Sequence, residues 1–262
     1  MKLSATGISY AYDRGEDVLH DVSLSVDDGD VAFVLGANGS GKTTLLRCLS
    51  GVLHPMSGTV SVDDGPLWSL PLRERARRIG VVPQFHEPAF PFTVAEAVLM
   101  GRGPHLGMFA RPGTADREIV DRALEAVGIL AMRGRAYSEI SGGEQQLALI
   151  ARGLAQGARC LLMDEPAAHL DPRHQHGILG VVRTLAADGH SFVVTSHQPD
   201  SAFLYADTVL LLVDGGARGY GPPGETLTEE SLRAAYGMEF EIVRGESGAR
   251  AVVPRIRPAC RD

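Results

Sequence analysis

Cysteine is scarce in this chain, which has three cysteines among 262 residues. Cys48, Cys160 and Cys260 are scattered along the sequence and show no paired spacing. Zinc sites and disulfide frameworks usually require cysteines in closely spaced pairs or in larger even sets. The sequence therefore argues against both and is typical of a protein in a reducing compartment such as the cytosol.

Long apolar stretches are also missing. A helix that crosses a bilayer needs about 20 consecutive apolar residues, whereas runs such as Val209–Val213 have the length of a strand. The first residues, Met1–Thr6, lack the apolar segment of a secretory signal peptide. We therefore expect a chain without a membrane segment, so that any role at a membrane depends on a partner.

The sequence has no excess of positive charge. Its 25 Lys and Arg residues are outnumbered by 32 Asp and Glu residues, which gives a formal net charge of -7. A surface that binds nucleic acid is usually basic. We interpret the basic cluster at Arg73–Arg78 as the solvated face of a short helix. The sequence thus predicts no nucleic-acid partner.

One segment carries a specific signal. Residues Gly36–Thr43 match the pattern G-x-x-x-x-G-K-[ST] and follow the apolar run Val31–Leu35. The backbone N–H groups of such a loop, together with the helix that follows, bind phosphate. Lys42 is expected to reach the β- and γ-phosphates, and Thr43 to ligate Mg²⁺. We predict a nucleoside-triphosphate site formed by Gly36, Asn38, Gly39, Ser40, Gly41, Lys42, Thr43 and Thr44.

Two adjacent carboxylates end the strand predicted at Cys160–Met163. Functional groups of α/β sheets commonly lie at the carboxyl ends of strands. Asp164 is suited to hold Mg²⁺, and Glu165 can polarise the water that attacks the γ-phosphate. Acidic residues also end strands as solvated turns, but the phosphate loop upstream favours the catalytic interpretation.

A second candidate anion site precedes the helix predicted at Gln145–Ala155. Ser141 and two glycines stand at the helix start, where bare N–H groups bind anions. Ser141 and Glu144 also match a capping box, which is an ordinary helix start. The segment alone does not decide between these two interpretations.

The order of the predicted elements indicates an α/β protein. Short strands and turns predict an antiparallel N-terminal part, and alternating strands and helices predict a mostly parallel sheet. A capping box at Thr93–Glu96 and a later helix ended by Gly128 predict a helical insertion. We expect a single domain over 1–262, with a core of 1–85 and 156–240, a helical subdomain of about 86–155 and a tail of 241–262.

Smaller features have structural interpretations. A loop is predicted over Gly101–Gly113, and a hairpin around Glu246–Gly248. His174 and His176 stand two positions apart on a predicted helix and so point to different faces. We interpret both as surface residues rather than metal ligands, and Cys48 as part of the core.

The motifs described above, taken in their order along the sequence, resemble those of the ATP-binding subunit of an ATP-binding-cassette (ABC) transporter. The resemblance covers nearly the whole chain. The phosphate loop resembles Walker A, Cys160–Glu165 resembles Walker B with its catalytic glutamate, and Ser141–Glu144 resembles the signature motif. The resemblance implies a P-loop NTPase core and further site residues. Gln84 of the Q-loop is expected to be catalytic and to ligate Mg²⁺, and the switch histidine His197 is expected to be catalytic. Asp171 of the D-loop is expected to bind ATP, and Tyr12 to stack on the adenine, with Tyr10 as a rival.

The resemblance also implies an assembly. Two copies would pack head to tail, with ATP and Mg²⁺ between Walker A of one copy and Ser141 and Gly143 of the other. The pair would drive a membrane permease from the cytoplasmic face of the membrane, supplied by a periplasmic or surface substrate-binding protein. Gln84 and the loop after it are the expected contact with the permease.

The signature departs from the family pattern at two positions. Ile140 takes the place of leucine, and Glu144 that of glutamine. We expect activity to be retained, because Glu144 can bond back to the backbone N–H of Ser141 and leave the serine hydroxyl for phosphate.

Several stretches resemble the importers of iron–siderophore, haem, vitamin B12 and molybdate-type substrates. They are Val81–Gln84, Ala97–Arg102, Asp164–Pro166 and Ala235–Met238, while the stretch from Gln84 to Pro112 and Thr195–Pro199 resemble the molybdate-like branch most. An exporter subunit would carry the same motifs and stays an alternative. A non-transport ATPase of the family commonly has two cassettes or a long coiled-coil insertion, and this sequence has neither.

Overall fold

A ten-stranded sheet forms the centre of the fold in the computed structural model of the chain, which describes residues 1–12, 15, 17–84, 90–107, 109–246 and 248–255. Its strands are β1 (Leu3–Ala11), β2 (Asp17–Val26), β3 (Val31–Leu35), β4 (Ser57–Val62), β5 (Gly65–Pro66), β6 (Ile79–Val82), β7 (Cys160–Met163), β8 (Ser191–Ser196), β9 (Thr208–Val213) and β10 (Gly216–Gly221). They lie in the order β5-β4-β1-β2-β10-β9-β3-β8-β7-β6.

The sheet has an antiparallel part and a parallel part. The antiparallel part pairs β1 with β2 and β4, and β4 with β5. In the parallel part β3 pairs with β8 and β9, and β7 pairs with β6 and β8. The hairpin of β9 and β10 meets β2 at the pair Gly216 and His20. The predicted α/β fold, with its antiparallel N-terminal part and mostly parallel core, is confirmed.

Helices pack against the sheet and bury its apolar side chains. They are α1 (Lys42–Leu49), α2 (Leu72–Arg78), α3 (Val94–Leu99), α4 (Thr114–Ala126), α5 (Gly142–Ala155), α6 (Pro172–Ala187), α7 (Pro199–Tyr205), α8 (Pro223–Thr226) and α9 (Glu229–Tyr236). Phe33 of β3 belongs to the buried cluster that includes α3 to α6, and its neighbour Val34 to the cluster beneath α1. Since successive strand residues point to opposite faces, the two clusters lie on opposite sides of the sheet.

Helices α3, α4 and α5 follow β6 and precede β7, where the helical insertion was predicted. The predicted capping box is present, because Thr93 accepts the Glu96 N–H at 3.2 Å and Glu96 accepts the Thr93 N–H at 2.8 Å. The predicted loop after α3 is partly wrong, since a 3-10 helix spans Met100–His105. Tertiary contacts hold it, for Arg102 donates to Asp116 at 2.9 Å and to the Ala155 carbonyl at 2.8 Å.

The C-terminal tail forms the predicted hairpin, with β11 (Phe240–Arg244) antiparallel to β12 (Arg250–Pro254). Ser247 and the tail beyond residue 255 lie outside the described residues. So do residues 85–89, where the boundary between core and helical subdomain was predicted, and the domain limits stay a prediction. In the part of the chain that the structure describes, no helix has the length and apolar character needed to cross a membrane.

Candidate functional site

The glycine-rich loop joins β3 to α1, and its glycines are required by close backbone contacts. A Cβ at Gly36 would lie 2.3 Å from the Leu212 carbonyl oxygen, and one at Gly41 would lie 2.9 Å from the Val18 carbonyl oxygen. Gly41 also has a φ of 100° and is the N-cap of α1. Since glycine brings no side chain to cap the helix, the first N–H groups of α1 are available to an anion.

Lys42 is a buried cation at the start of α1, with its side chain 6% exposed. Its Nζ donates to the carbonyl oxygens of Gly36 at 2.9 Å and Ala37 at 3.0 Å. It also lies 3.5 Å from Oε1 of Glu165, a carboxylate that is 15% exposed. A buried charge needs such partners. The ammonium group is therefore fixed between the loop and the carboxylate, where it can meet a phosphate.

Asp164 joins three elements at the carboxyl end of β7. Its Oδ2 accepts the Thr43 hydroxyl at 2.9 Å, and its Oδ1 accepts the Thr195 hydroxyl at 2.8 Å. Gln84 lines the same cleft. Hydroxyl, carboxylate and amide oxygens are the hard ligands that Mg²⁺ prefers, so this donor set fits the ion. Over the described ranges there is no cluster of three or more His, Cys, Asp or Glu side chains able to hold a metal.

Glu165 has a backbone conformation that is unusual for its residue type. Its φ is 46°, in the left-handed region that non-glycine residues rarely adopt and that often marks functional sites. Its N–H donates to Thr195 Oγ1 at 2.9 Å, and its Oε2 lies 3.0 Å from Nδ1 of His197. These contacts aim the carboxylate between His197 and Lys42. Glu165 and His197, both predicted to be catalytic, therefore lie within contact distance of each other.

Thr195 is a site residue that sequence reasoning missed. It is fully buried in β8, and its hydroxyl donates to Asp164 while it accepts the N–H of Glu165. A threonine directly after the apolar run Phe192–Val194 was the available signal, since a buried hydroxyl needs hydrogen-bond partners.

These groups share one open cleft, the phosphate cleft. The predicted residues among its lining are Asn38, Gly39, Gly41, Lys42, Thr43, Thr44, Gln84, Asp164, Glu165 and His197, and the lining residues not predicted are Val18 and His169. Gly36 and Ser40 belong to the same glycine-rich loop but do not line the cleft. Ser40 is buried, and so is its hydroxyl oxygen. Tyr12, Ser141, Gly143 and Asp171 are not part of this lining.

Tyr12 lies above α1, beside the cleft. Its hydroxyl is 3.3 Å from the Thr44 Oγ1 and accepts from Arg47 at 3.3 Å, and the residue is 41% exposed. Tyr10, the rival candidate, places its ring edge-on to Tyr12 at 5.0 Å and packs against the buried cluster beneath α1. Tyr12 therefore presents the more accessible aromatic face, and its role with adenine stays a prediction.

The signature segment forms the predicted capping box at the start of α5. Glu144 Oε2 accepts the Ser141 N–H at 2.7 Å, and Ser141 Oγ accepts the Glu144 N–H at 3.4 Å. The hydrogen bond from the Ser141 N–H, the largest cause, lowers the pKa of the Glu144 carboxyl below its ordinary value of 4.5. Glu144 therefore acts as a helix cap in its ionised form.

One expectation about this segment was wrong. The Ser141 hydroxyl is not left free by the capping box, because it donates to Glu144 Oε2 at 2.8 Å. A carboxylate offers only acceptor oxygens, so it holds both the serine N–H and the serine O–H. A phosphate at this helix start would have to compete with Glu144 for the hydroxyl proton.

Comparisons with known proteins agree with these motifs. Residues 19–168 match the profile of the family described as ABC transporter. The chain is 40% identical over 256 residues to the hemin import ATP-binding protein HmuV of Thermobifida fusca, covering 98% of this chain and 88% of that protein. It is 39% identical over 256 residues to the cobalamin import ATP-binding protein BtuD of Halobacterium salinarum, covering 97% of this chain and 64% of the relative.

The fold has close counterparts among solved structures. A metal-chelate type ABC transporter in an inward-facing conformation superposes with a TM-score of 0.86 at 30% identity, over 97% of this chain and 98% of that chain. The ADP conformation of MJ1267, an ATP-binding cassette of an ABC transporter, gives 0.77 at 27% identity, over 89% and 94% of the two chains. Because the family profile covers more than half of the chain and the hemin import relative is 40% identical to it, this chain belongs to the ABC transporter family, as one of its ATP-binding proteins.

Proposed function

We propose that this chain binds and hydrolyses ATP between two copies of itself, and so powers the import of a metal chelate or oxyanion through a membrane permease. The observation that carries the proposal is the contact of Lys42 and His197 with one carboxylate, Glu165, in the phosphate cleft. This is the arrangement that phosphoryl transfer to water requires, with a cation for the phosphates beside a base for the water.

The phosphate cleft supplies the binding groups for ATP. The N–H groups at the start of α1 and the Lys42 ammonium would hold the β- and γ-phosphates, and Tyr12 the adenine. Thr43, Asp164 and Gln84 would hold Mg²⁺, which when bound neutralises the charge of the phosphate oxygens. An incoming phosphate would draw Lys42 from Glu165, which leaves that carboxylate to act on water.

Glu165 is the proposed general base. It would orient and polarise the attacking water, while His197 holds one of its oxygens at 3.0 Å. The left-handed backbone at Glu165 and its hydrogen bond to Thr195 fix where the carboxylate points. Glu165 and His197 are therefore proposed as catalytic residues, together with Gln84, which would also ligate Mg²⁺.

A second copy would complete the site. Ser141, Gly143 and Asp171 do not line the phosphate cleft of their own chain. The start of α5, where Ser141 and Gly142 are exposed, suits a γ-phosphate held by Walker A of another copy. We therefore infer a head-to-tail dimer in which each ATP joins the two chains.

The substrate class is inferred from relatives. The similar proteins named above are import ATP-binding proteins for hemin and cobalamin, and the structural relative is of metal-chelate type. The chain spans about two thirds of the cobalamin relatives and most of the hemin relative. We place the dimer on the cytoplasmic face of the membrane, bound to permease subunits that a substrate-binding protein supplies.

The test of the shared catalytic site is Glu165→Gln. Glutamine keeps the shape but cannot act as a base, so ATP hydrolysis should fall by about 10²–10⁴-fold while ATP still binds. Because the nucleotide joins two chains, the variant should accumulate as an ATP-bound dimer, measured by light scattering with and without ATP. Hydrolysis near the wild-type rate would remove the catalytic assignment. An inactive variant that stays monomeric at saturating ATP would remove the shared site.

Transport needs a separate experiment. The chain is co-expressed with a candidate many-helix permease, purified through the permease and reconstituted into vesicles. Uptake of haem, cobalamin, a ferric siderophore or molybdate toward the ATPase side, dependent on ATP, is the expected result. Movement of substrate away from the ATPase side would establish an exporter instead.

A further inference from the structure

His174 links the two segments that the proposed dimer would present to the partner's ATP. It is the third residue of α6, and Asp171 is the N-cap of that helix. The His174 N–H donates to Asp171 Oδ1 at 3.2 Å, and Nδ1 of the ring lies 2.5 Å from Asp171 Oδ2. Both oxygens of the D-loop carboxylate are thus held by one residue.

The same imidazole packs against the signature segment. A Cβ at Gly143 would lie 2.9 Å from Cδ2 and 3.3 Å from Cγ of His174, so the ring occupies the space that a side chain would need. Next to it, a Cβ at Gly142 would lie 3.4 Å from a methyl carbon of Leu170. The segment 170–174 therefore packs against the two glycines that begin α5, of which Gly143 is buried and Gly142 is exposed.

Two carboxylates, those of Asp171 and Glu144, interact electrostatically with the His174 imidazole. Asp171 approaches the ring from its own helix, and the hydrogen bond from His174 is the largest cause that lowers the pKa of its carboxyl. Glu144 comes from α5, where His174 adds a small contribution to its lowered pKa, behind those of Ser141 and Arg135. The imidazole thus contacts the Asp171 carboxylate on its own helix and lies within electrostatic range of the Glu144 carboxylate on α5.

We propose that His174 is a positioning residue that fixes Asp171 against the start of α5, so that the D-loop and the signature meet the partner's ATP as one unit. The inference deepens the proposed function and rests on its shared site. The simpler role for His174 is to stabilise the first turn of α6, which affects stability and nothing at the ATP.

The test places His174→Ala in the wild type and in the Glu165→Gln background. His176→Ala is the matched control, because His176 is a nearby histidine of α6 whose Nδ1 bonds the Tyr205 hydroxyl at 2.9 Å, away from Gly143. Binding of a fluorescent ATP analogue to the monomer should change by less than about twofold in both variants, since neither histidine lines the phosphate cleft.

The two variants should differ in assembly. With saturating ATP in the Glu165→Gln background, His174→Ala should raise the dimer dissociation constant about tenfold, which is the size of coupling found between residues of one contact network. The control, His176→Ala, should leave this constant unchanged. ATPase activity should fall in parallel. His174→Asn should recover part of the loss, because its amide N–H can donate to Asp171.

Each outcome separates the two proposals. Equal dimerisation of the His174→Ala and His176→Ala proteins, or an equal loss in both, overturns the positioning role. An asparagine variant as weak as the alanine variant overturns the hydrogen bond to Asp171 as its basis. If Glu165→Gln by itself does not dimerise with ATP, the shared site fails, and the role of His174 fails with it.

Discussion

The phosphate cleft and the signature face, which we define as residues 141–144 with 171–174, are built in opposite ways. In the cleft, Thr43 bonds Asp164 across 121 positions of sequence, and Lys42 at 6% exposure is balanced by Glu165. On the signature face, hydrogen bonds join residues three positions apart, and the side chains of Asp171 and His174 are 58% and 49% exposed. The cleft therefore depends on the whole fold, and the signature face on two local helix caps that meet where His174 packs on Gly143.

This difference predicts how each region responds to substitution. Removing one partner of a buried network leaves the others unsatisfied, at a cost that water cannot offset. The hydrogen bonds of an exposed cap can be replaced by water or by another polar group at little cost in the free energy of unfolding. Substitutions in the cleft should thus have the larger effects, and the four experiments below run from the largest to the smallest.

Lys42→Ala should have the strongest effect on nucleotide binding in this set. It removes a charge-assisted contact to the phosphates worth about 1.5–3 kcal/mol. Equilibrium binding of a fluorescent ATP analogue measures the loss. Lys2→Ala, an exposed lysine near Asp27, is the control and should bind ATP as the wild type does. Unchanged affinity in Lys42→Ala would contradict the phosphate role.

Thr195→Val should disturb the positions of Asp164 and Glu165, the two cleft residues that its hydroxyl holds. Valine keeps the shape of threonine but leaves the Glu165 N–H and one Asp164 oxygen without the partner they have in β8. We expect a loss of about 1–3 kcal/mol in the free energy of unfolding and a lower ATPase rate. Urea unfolding measures the first. Ser191→Ala, in the same strand, removes a 3.4 Å bond to the Arg159 carbonyl and a hydrogen bond with the Cys160 thiol, and should cost less.

Tyr12→Ala should weaken nucleotide affinity by about 1 kcal/mol, at the low end of the range for an aromatic ring stacked on a base, because the residue is 41% exposed. A competition assay between ATP and GTP shows whether the ring acts on the base. Tyr10→Ala is the comparison, and a larger loss of affinity there would assign the stacking role to Tyr10.

Glu144→Gln should have the smallest effect, with ATPase activity within a few-fold and stability changed by less than about 1 kcal/mol. The folded pKa of Glu144 is lowered, so its contribution is fully present above the ordinary value of 4.5 and is lost as the pH falls through the folded value. The stability difference from glutamine should shrink in that acidic window, as urea unfolding at each pH would measure. A large gain in hydrolysis would mean that the carboxylate repels the γ-phosphate.

Local rules explain what could be predicted in advance. The capping boxes at Thr93–Glu96 and Ser141–Glu144, the strand Val31–Leu35 and the tail hairpin depend on residues close in sequence, and the structure contains all of them. The short helices α7 and α8 were not predicted. Seven residues or fewer give little periodic signal, and α7 is held by a tertiary bond from the Val252 N–H to Asp200 at 2.6 Å.

The sequence by itself determined the family, the phosphate loop and the order of the motifs, because a glycine-rich loop before a lysine and a helix specifies its own local geometry. Only the tertiary structure decided which side chains form ion pairs, hydrogen bonds and packing contacts with one another. Three contacts join residues from separate elements: Lys42 pairs with Glu165, the Thr195 hydroxyl makes hydrogen bonds with both Asp164 and Glu165, and His174 packs on Gly143. Such contacts depend on sheet order and helix packing, and these are settled by burial of the whole core rather than by any local pattern.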